Sequence, residues 1–153
     1  MSEVYFSHEG TDHPEDAMLA DAEALLDTLG LSDAELSVVL CDDAFISPLN
    51  AQWRDKPTAT DVLSFPQNEP GEPMDPVLGD IVISVQTATR QAADQGHPLE
   101  DELRVLLVHG LLHLLGHDHI DPDDARRMAV EEARLLASLS PDRRASLLER
   151  EGP

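Results

Sequence analysis

The sequence predicts an α/β (α+β) fold: a single domain over residues 1–153, with a small mixed β-sheet and helices packed around a buried central helix. Three observations support this prediction. The chain of 153 residues is long enough for one ordinary domain with its own core. Short stretches rich in β-branched residues alternate with helical stretches. Residues 103–115 are apolar around nearly the whole circumference of a helix, which is typical of a helix at the centre of a domain.

The secondary structure of the first third of the chain is predicted from the spacing of its apolar residues and from the glycines and prolines that interrupt it. Residues 4–6 predict a short strand. Residues 14–29 predict a helix, because apolar residues recur there at three- and four-residue steps before Gly30. Residues 36–41 have an apolar, β-branched centre and predict a buried strand. Residues 48–54, which begin with a proline, predict a short helix.

The later elements follow in the same way. Residues 61–65 are few and are stopped by Pro66, which predicts a strand near a sheet edge. The remaining expectations are a turn-rich loop over 66–76, a strand over 80–84, and helices over Val85–Gln95, 98–115, 121–139 and from Pro141 onward. Glycines at positions 96 and 116 end the first two of these helices.

The amino-acid composition limits the classes of protein to which this chain can belong. Cys41 is the only cysteine, which excludes internal disulfides and thiolate metal clusters and fits a reducing cytoplasm. No apolar run reaches the ~20 residues of a membrane span, and the first residues lack a basic leader, so we expect a cytoplasmic protein. The net charge is −21, and the first 50 residues contain 12 acids and no Lys or Arg. Such a chain should repel nucleic acid, although the later residues are less acidic.

The most informative stretch is His109–Gly–Leu–Leu–His113–Leu–Leu–Gly116–His117–Asp118–His119. His109 and His113 are four residues apart, so they lie one helical turn apart on one face. Gly116 can end the helix and reverse the chain, which brings His119 back as a third ligand. Three imidazoles that leave one open position are typical of a catalytic zinc ion, and all-nitrogen ligation favours zinc over magnesium or calcium. Nickel, cobalt or iron would also suit this ligand set.

The spacing matches the zinc-protease motif H-E-x-x-H-x-x-G-x-x-H except at one position. Where those proteases carry the glutamate that activates water, this chain has Gly110. A glycine cannot act as a general base. The pattern therefore predicts a metal site like that of the proteases but without their glutamate-dependent peptide hydrolysis.

Three ordered blocks resemble the YbeY family of single-strand endoribonucleases. The family motif H-G-x-L-H-L-x-G-[YH]-D-H is matched by residues 109–119. The second block contains Leu49–Asn50, Arg54 and residues 60–66, and the third contains residues 78–84. The likeness extends from about residue 36 to residue 135. One departure is Ala59, where the family usually has proline directly before the threonine.

The resemblance implies one zinc ion on His109, His113 and His119, with Arg54 as the functional arginine facing the metal and with a role for His109 in activity beyond ligation. A guanidinium can bind two nonbridging phosphate oxygens, which gives Arg54 a physical role in phosphoryl transfer. Asp118 and His117 are candidates for holding a ligand imidazole or transferring a proton. Asp61 either assists the site or caps the turn before its strand.

The resemblance also implies cleavage of single-stranded RNA in ribosomal RNA maturation at the 16S 3′ end and in ribosome quality control. Its partners would then be the small ribosomal subunit and ribosome-associated proteins. Zinc would polarise a phosphoryl oxygen or activate water, and the sequence leaves open whether water or the 2′-hydroxyl attacks. Trp53 and Phe65 are candidates for base stacking. Two alternatives remain: a hydrolase of a small amide, ester or peptide, and a noncatalytic ribosome-assembly factor with a structural zinc.

Overall fold

A computed structural model describes residues 2–54, 58–67, 76–117 and 121–139, with only the backbone described for Arg54. These residues form four strands and five helices. In chain order they are β1 (Glu3–Glu9), α1 (Asp16–Thr28), β2 (Glu35–Cys41), α2 (Asp43–Arg54), β3 (Val62–Pro66), β4 (Val77–Ser84), α3 (Val85–Gln95), α4 (Leu99–Leu114) and α5 (Pro122–Ser138). The predicted α+β class is therefore confirmed.

The four strands form one mixed sheet in the order β1-β2-β4-β3. β1 pairs with β2 and β2 pairs with β4 in parallel, whereas β3 pairs with β4 in antiparallel orientation. β3 is thus an edge strand, as its short length and Pro66 predict. Proline is tolerated there because an edge strand need not donate every backbone N–H to the sheet.

The main core lies between one face of the sheet and helices α1, α3, α4 and α5. Alternate residues of β2 and β4, such as Leu36, Val38 and Ile81, point into it. Helix α4 is the most buried of these helices. Four of its own side chains are fully buried: Leu103, Leu107, Leu111 and Leu112. The predicted central helix is confirmed, and it carries His109 and His113.

A smaller cluster lies on the opposite face of the sheet, under α2. Cys41, Ile46, Leu63 and Val82 form its buried part. The core position expected for Cys41 is therefore confirmed. Burial, with the nearby Asp42, Asp43 and Glu9 carboxylates, raises the pKa of the Cys41 thiol to about 12.

Helix α2 begins at Asp43, five residues before the proline where the sequence predicted its start. That prediction was wrong because tertiary contacts hold the first turn in place. Asp43 Oδ1 accepts hydrogen bonds from Ser84 Oγ at 2.6 Å and Thr87 Oγ1 at 2.7 Å. Asp43 Oδ2 lies 2.9 Å from Arg90 Nη2. Pro48 is accommodated inside the helix although it removes a backbone hydrogen bond there.

The remaining helices follow the predictions closely. Two strands are longer than expected: β1 extends over seven residues where three were predicted, and β4 begins at Val77, three residues before the strand predicted over 80–84. Most of the loop predicted over 66–76 and the helix predicted from Pro141 onward lie outside the described residues. In the part that is described, we found no helix with the length and apolar character needed to span a membrane.

Candidate active site

His109 and His113 lie side by side on one face of α4. Their ring centroids are 5.0 Å apart, with an angle of 58° between the ring planes. This proximity follows from their four-residue spacing, which places the two side chains one above the other on a helix. The pair is exposed to a cavity on one side and packed against the protein on the other.

Helix α4 approaches the sheet closely at Gly110, beside the first histidine. A Cβ atom at this position would stand 2.7 Å from Cγ2 of Ile81 in β4. Ser64 Oγ of the edge strand donates a hydrogen bond to the Gly110 carbonyl oxygen at 3.1 Å. The absence of a side chain therefore lets the helix sit against β4 and β3. The structure leaves no room at this position for the glutamate of a protease.

A cavity of about 410 Å³ opens beside the two histidines. Its walls come from the start of β3, from α3 and from α4, and its polar lining includes Asp61, Ser64, Gln91, Glu102, His109 and His113. The edge strand, two helices and the histidine pair therefore meet around one space that is large enough for a small ligand or part of a polymer.

The part of the cavity lining formed by Asp61, Gln91 and Glu102 is acidic and hydrogen-bonded. With its amide nitrogen facing the carboxylates, Gln91 donates to Asp61 Oδ2 at 3.3 Å and to Glu102 Oε1 at 3.1 Å. Glu102 is only 4% exposed, and its other oxygen lies 2.5 Å from Nε2 of His97. Asp61 Oδ1 also accepts from the Val62 backbone N–H at 2.8 Å, which is the local turn contact expected of it.

Glu132 of α5, which is not part of the cavity lining, contacts His109. Its Oε1 atom lies 2.8 Å from His109 Nδ1, and both side chains are about one third exposed (28% and 32%). The carboxylate faces Nδ1 of His109, the ring nitrogen that carries the proton when it donates a hydrogen bond to an acceptor.

The described donors suit a metal ion. Two imidazoles on one zinc ion, each bonded at about 2.0–2.1 Å in a roughly tetrahedral arrangement, have ring centroids about 5 Å apart. The observed separation of 5.0 Å agrees with this. The third predicted ligand, His119, lies outside the described residues, as does Asp118. Among the residues with described side chains, no three His, Cys, Asp or Glu groups form a metal cluster.

Arg54 is the last residue of α2, the helix that covers the smaller cluster on the face of the sheet opposite α4. The adjacent Trp53 is 61% exposed and meets Phe65 of β3 edge to face, with ring centroids 5.9 Å apart. Asn50 Nδ2 donates to the Thr58 carbonyl oxygen at 2.8 Å, which ties α2 to the segment before β3. The stacking candidates and the histidines are thus separated by the edge strand β3.

His117 follows the end of α4 and lines a second, smaller cavity of about 240 Å³ with Gly116, Asp124 and Arg127. Gly116 has a φ of +93°, the left-handed conformation expected where the helix ends. The guanidinium of Arg134, with a smaller contribution from His117, lowers the pKa of Glu131 on α5. His117 therefore faces the start of α5 and not the larger cavity.

A sequence profile described as Endoribonuclease YbeY matches residues 7–140 of the chain. The chain belongs to the YbeY family. An Arabidopsis thaliana protein named "Endoribonuclease YBEY, chloroplastic" is 55% identical over 109 residues, which cover 70% of this chain and 18% of that protein. A Salinispora tropica protein named "Endoribonuclease YbeY" is 44% identical over 150 residues, which cover 90% of this chain and 96% of that protein. The chain therefore spans less than a fifth of the first relative and nearly all of the second.

The fold has a solved counterpart. The solution structure of TM1509 from Thermotoga maritima superposes with a TM-score of 0.68, covering 95% of this chain and 93% of that one. Its sequence is 23% identical, so this likeness concerns the fold alone. It supports the arrangement of one mixed sheet around a central helix.

Sequence reasoning missed Glu132, which lies in none of the three blocks that carry the YbeY resemblance. A local signal does exist, because Glu132 lies four residues after Met128 and three before Leu135, and both of these side chains are buried. A carboxylate on the same helical face must find a polar partner as that face packs on the domain. The identity of the partner, His109 on another helix, is not visible in the pattern.

Proposed function

We propose that this chain is a zinc-dependent, single-strand-specific endoribonuclease that acts in ribosomal RNA maturation at the 16S 3′ end and in ribosome quality control. The observation that carries the proposal is the pairing of His109 and His113 at 5.0 Å beside a cavity, in a chain of the YbeY family. The names of the relatives supply the reaction class, and the histidine pair supplies a place for the metal.

Zinc would be held by His109, His113 and His119, with one ion per chain. When bound, such an ion supplies Lewis acidity for a phosphoryl oxygen and for water. Glu132 faces Nδ1 of His109, which suits metal binding through Nε2 of that ring. Gly116 in its left-handed conformation turns the chain after α4, one residue before the described segment ends, and thus supports the return of His119.

Arg54 is proposed to bind the phosphodiester as negative charge develops on its nonbridging oxygens. Trp53 next to it is exposed and braced by Phe65, which suits stacking on an unpaired base. Because Phe65, and the Trp53 ring that meets it, lie on the face of the sheet opposite α4, an RNA strand that contacts both Trp53 and the histidines would cross the edge strand β3. A single strand can follow such a path, whereas a duplex is too stiff and wide for it.

The acidity of the chain bears on how RNA arrives. A net charge of −21 and the carboxylates of Asp61 and Glu102 in the cavity wall disfavour tight nonspecific binding to phosphates. We therefore propose that the small ribosomal subunit, alone or with ribosome-associated proteins, presents the RNA in the cytoplasm. The lone, buried Cys41 fits that reducing compartment.

Hydrolysis of a small amide, ester or peptide is less well supported. The protease mechanism relies on a glutamate beside the first histidine, and Gly110 is packed against Ile81 at that point. In a noncatalytic assembly factor, the metal would only stabilise the fold. An assay that measures metal binding and RNA cleavage separately distinguishes these alternatives from the nuclease.

The experiment is cleavage of a single-stranded 16S rRNA 3′ fragment by wild type, Arg54→Ala and Arg126→Ala. Arg126 is a matched control, since it is an exposed arginine on α5 paired with Asp123. We expect Arg54→Ala to retain its zinc and fold and to lose at least 100-fold in kcat/KM, with Arg126→Ala near wild type. Equal activity of all three proteins would remove Arg54 from the site. A 2′,3′-cyclic phosphate on the product would identify the 2′-hydroxyl as the attacking group and contradict direct attack by water.

A further inference from the structure

We propose that Glu132 is a positioning residue that fixes the tautomer and orientation of His109, so that Nε2 is presented to the metal. This inference rests on the proposed function, since it assigns a residue that supports the same site. Glu132 lies outside the histidine motif and on a different helix, and it therefore connects α5 to the chemistry of α4.

The first step of the argument is the contact itself. Glu132 Oε1 lies 2.8 Å from Nδ1 of His109, a hydrogen-bonding distance. About two thirds of each side chain is withdrawn from solvent, so water screens the interaction less than it screens a surface pair.

The second step is the rigidity of the helix that carries the carboxylate. Met128 and Leu135, one turn to either side of Glu132, are buried in the main core. The α5 backbone at Glu132 is therefore held between two apolar anchors on the same face. A carboxylate in this place has little freedom to leave the imidazole, which is what a positioning residue requires.

The third step is the chemistry of imidazole. A neutral histidine carries one N–H and one lone pair, and in water the proton exchanges between the two nitrogens. A carboxylate that faces Nδ1 accepts a hydrogen bond from Nδ1–H, so the proton stays on Nδ1 and the lone pair is on Nε2. The same contact makes Nε2 a better electron donor, as is common for histidine ligands backed by a carboxylate.

The fourth step is the position of α5 in the chain. Asp121 caps this helix, since its Oδ1 accepts a hydrogen bond from the Asp123 backbone N–H at 2.9 Å. The cap is two residues after His119 in the sequence. Docking of α5 on α4 therefore fixes the carboxylate behind His109 and also the far end of the segment that carries the third predicted ligand.

A purely structural role is the competing explanation, in which the Glu132–His109 ion pair only ties α5 to α4. The two explanations differ for Glu132→Gln. The amide oxygen of glutamine accepts a hydrogen bond from Nδ1–H and preserves the tautomer, whereas an ion pair is lost in full. Glu131→Gln is the matched control, because Glu131 is adjacent on α5 and pairs with Arg134 at 2.8 Å without contacting His109.

The test uses the full-length chain in four forms: wild type, Glu132→Ala, Glu132→Gln and Glu131→Gln. The zinc dissociation constant is measured by competition with a chromophoric chelator. The imidazole N–H of His109 in the zinc-loaded protein is followed by ¹H–¹⁵N NMR, and thermal unfolding reports the fold. We expect Glu132→Ala to weaken zinc binding by about 10–100-fold and to lose the slowly exchanging Nδ1–H signal. Glu132→Gln should retain the signal and lie within about 10-fold of wild type, and Glu131→Gln should match wild type.

Unchanged zinc affinity and an unchanged Nδ1–H signal in Glu132→Ala would overturn the inference and leave the proposed function intact. Equal loss in Glu132→Ala and Glu132→Gln, together with lower thermal stability in both, would establish the structural role in its place. A wild type that takes up no zinc would overturn the metal assignment of the proposed function, and the inference with it.

Discussion

Gly110 in α4 and Ile81 in β4 are in such close contact that a Cβ atom on the glycine would stand 2.7 Å from Ile81 Cγ2. The contact fixes how near the histidine helix lies to the sheet. It also accounts for the glycine in physical terms, since any side chain at this point would push α4 and His109 away from β4.

The first prediction concerns this contact. Gly110→Ala should destabilise the protein by about 1–3 kcal/mol through overpacking, although alanine is favoured over glycine within a helix by about 1 kcal/mol. Urea unfolding measures the free energy. In a double-mutant cycle with Ile81→Ala, the two changes should cost less together than the sum of the single changes, because Ile81→Ala removes the clashing methyl group. A Gly110→Ala variant more stable than wild type would show that a methyl group fits between α4 and β4 without overpacking.

The second prediction concerns the exposed aromatic residue beside Arg54. Trp53→Ala should raise KM for single-stranded RNA by about 5–150-fold, as expected from about 1–3 kcal/mol per stacked base, with little change in stability. Tyr5→Ala is the matched control, because Tyr5 is 53% exposed on β1 at the far edge of the sheet. If both substitutions raise KM equally, or if neither changes it, Trp53 does not lie on the path of the RNA.

The helix boundaries show what local sequence can and cannot predict. The bounds of α3 agree with the prediction because its signals are local: Ser84 Oγ accepts from the Thr87 backbone N–H, and Gly96 takes the left-handed conformation at its end. The start of α2 was misplaced because Asp43 is held by Ser84 and Thr87, some forty residues further along the chain. A pattern within one segment carries no information about such partners.

The candidate site divides in the same way. His109 and His113 were predictable because a four-residue spacing decides their proximity once the helix forms. Glu132 was not, because its partner is on another helix. The packing of Gly110 was not, because the separation of helix and sheet is a property of the assembled core. The metal ligands and the role of Arg54 remain predictions, since His119 and the Arg54 side chain lie outside the described residues.

The third prediction concerns pH and Asp43. Burial on its own would raise the pKa of this carboxyl, but hydrogen bonds from Ser84 and Thr87 and the Arg90 guanidinium bring it below its ordinary value. A carboxyl with a lowered folded-state pKa stabilises the protein above its unfolded pKa of about 3.9, and this contribution is lost as the pH falls through the folded pKa. Asp43→Asn should therefore be destabilised at pH 7, with a difference from wild type that shrinks below about pH 4.

Urea unfolding between pH 3 and pH 7 measures that difference. Asp12→Asn is the control, because Asp12 is an exposed residue before α1. A difference that stays constant across the whole pH range would show that the negative charge of Asp43 is not what stabilises the start of α2.

The fourth prediction concerns Cys41. Its thiol is fully buried, and burial with neighbouring carboxylates raises its pKa to about 12. Because the thiolate is the reactive form, we expect no reaction with a disulfide reagent at pH 8 in the native protein and one reactive thiol per chain in urea. Rapid reaction under native conditions would mean that the cluster beneath α2 opens readily.

The most direct test of the account is metal content measured by mass spectrometry on protein purified without chelator or affinity tag. Wild type and His113→Ala are compared, and cleavage of single-stranded RNA is assayed on the same samples. The account predicts close to one equivalent of zinc per wild-type chain, with both metal and cleavage lost in His113→Ala. A wild type that contains no metal, or a His113→Ala variant that retains both metal and cleavage, would contradict it.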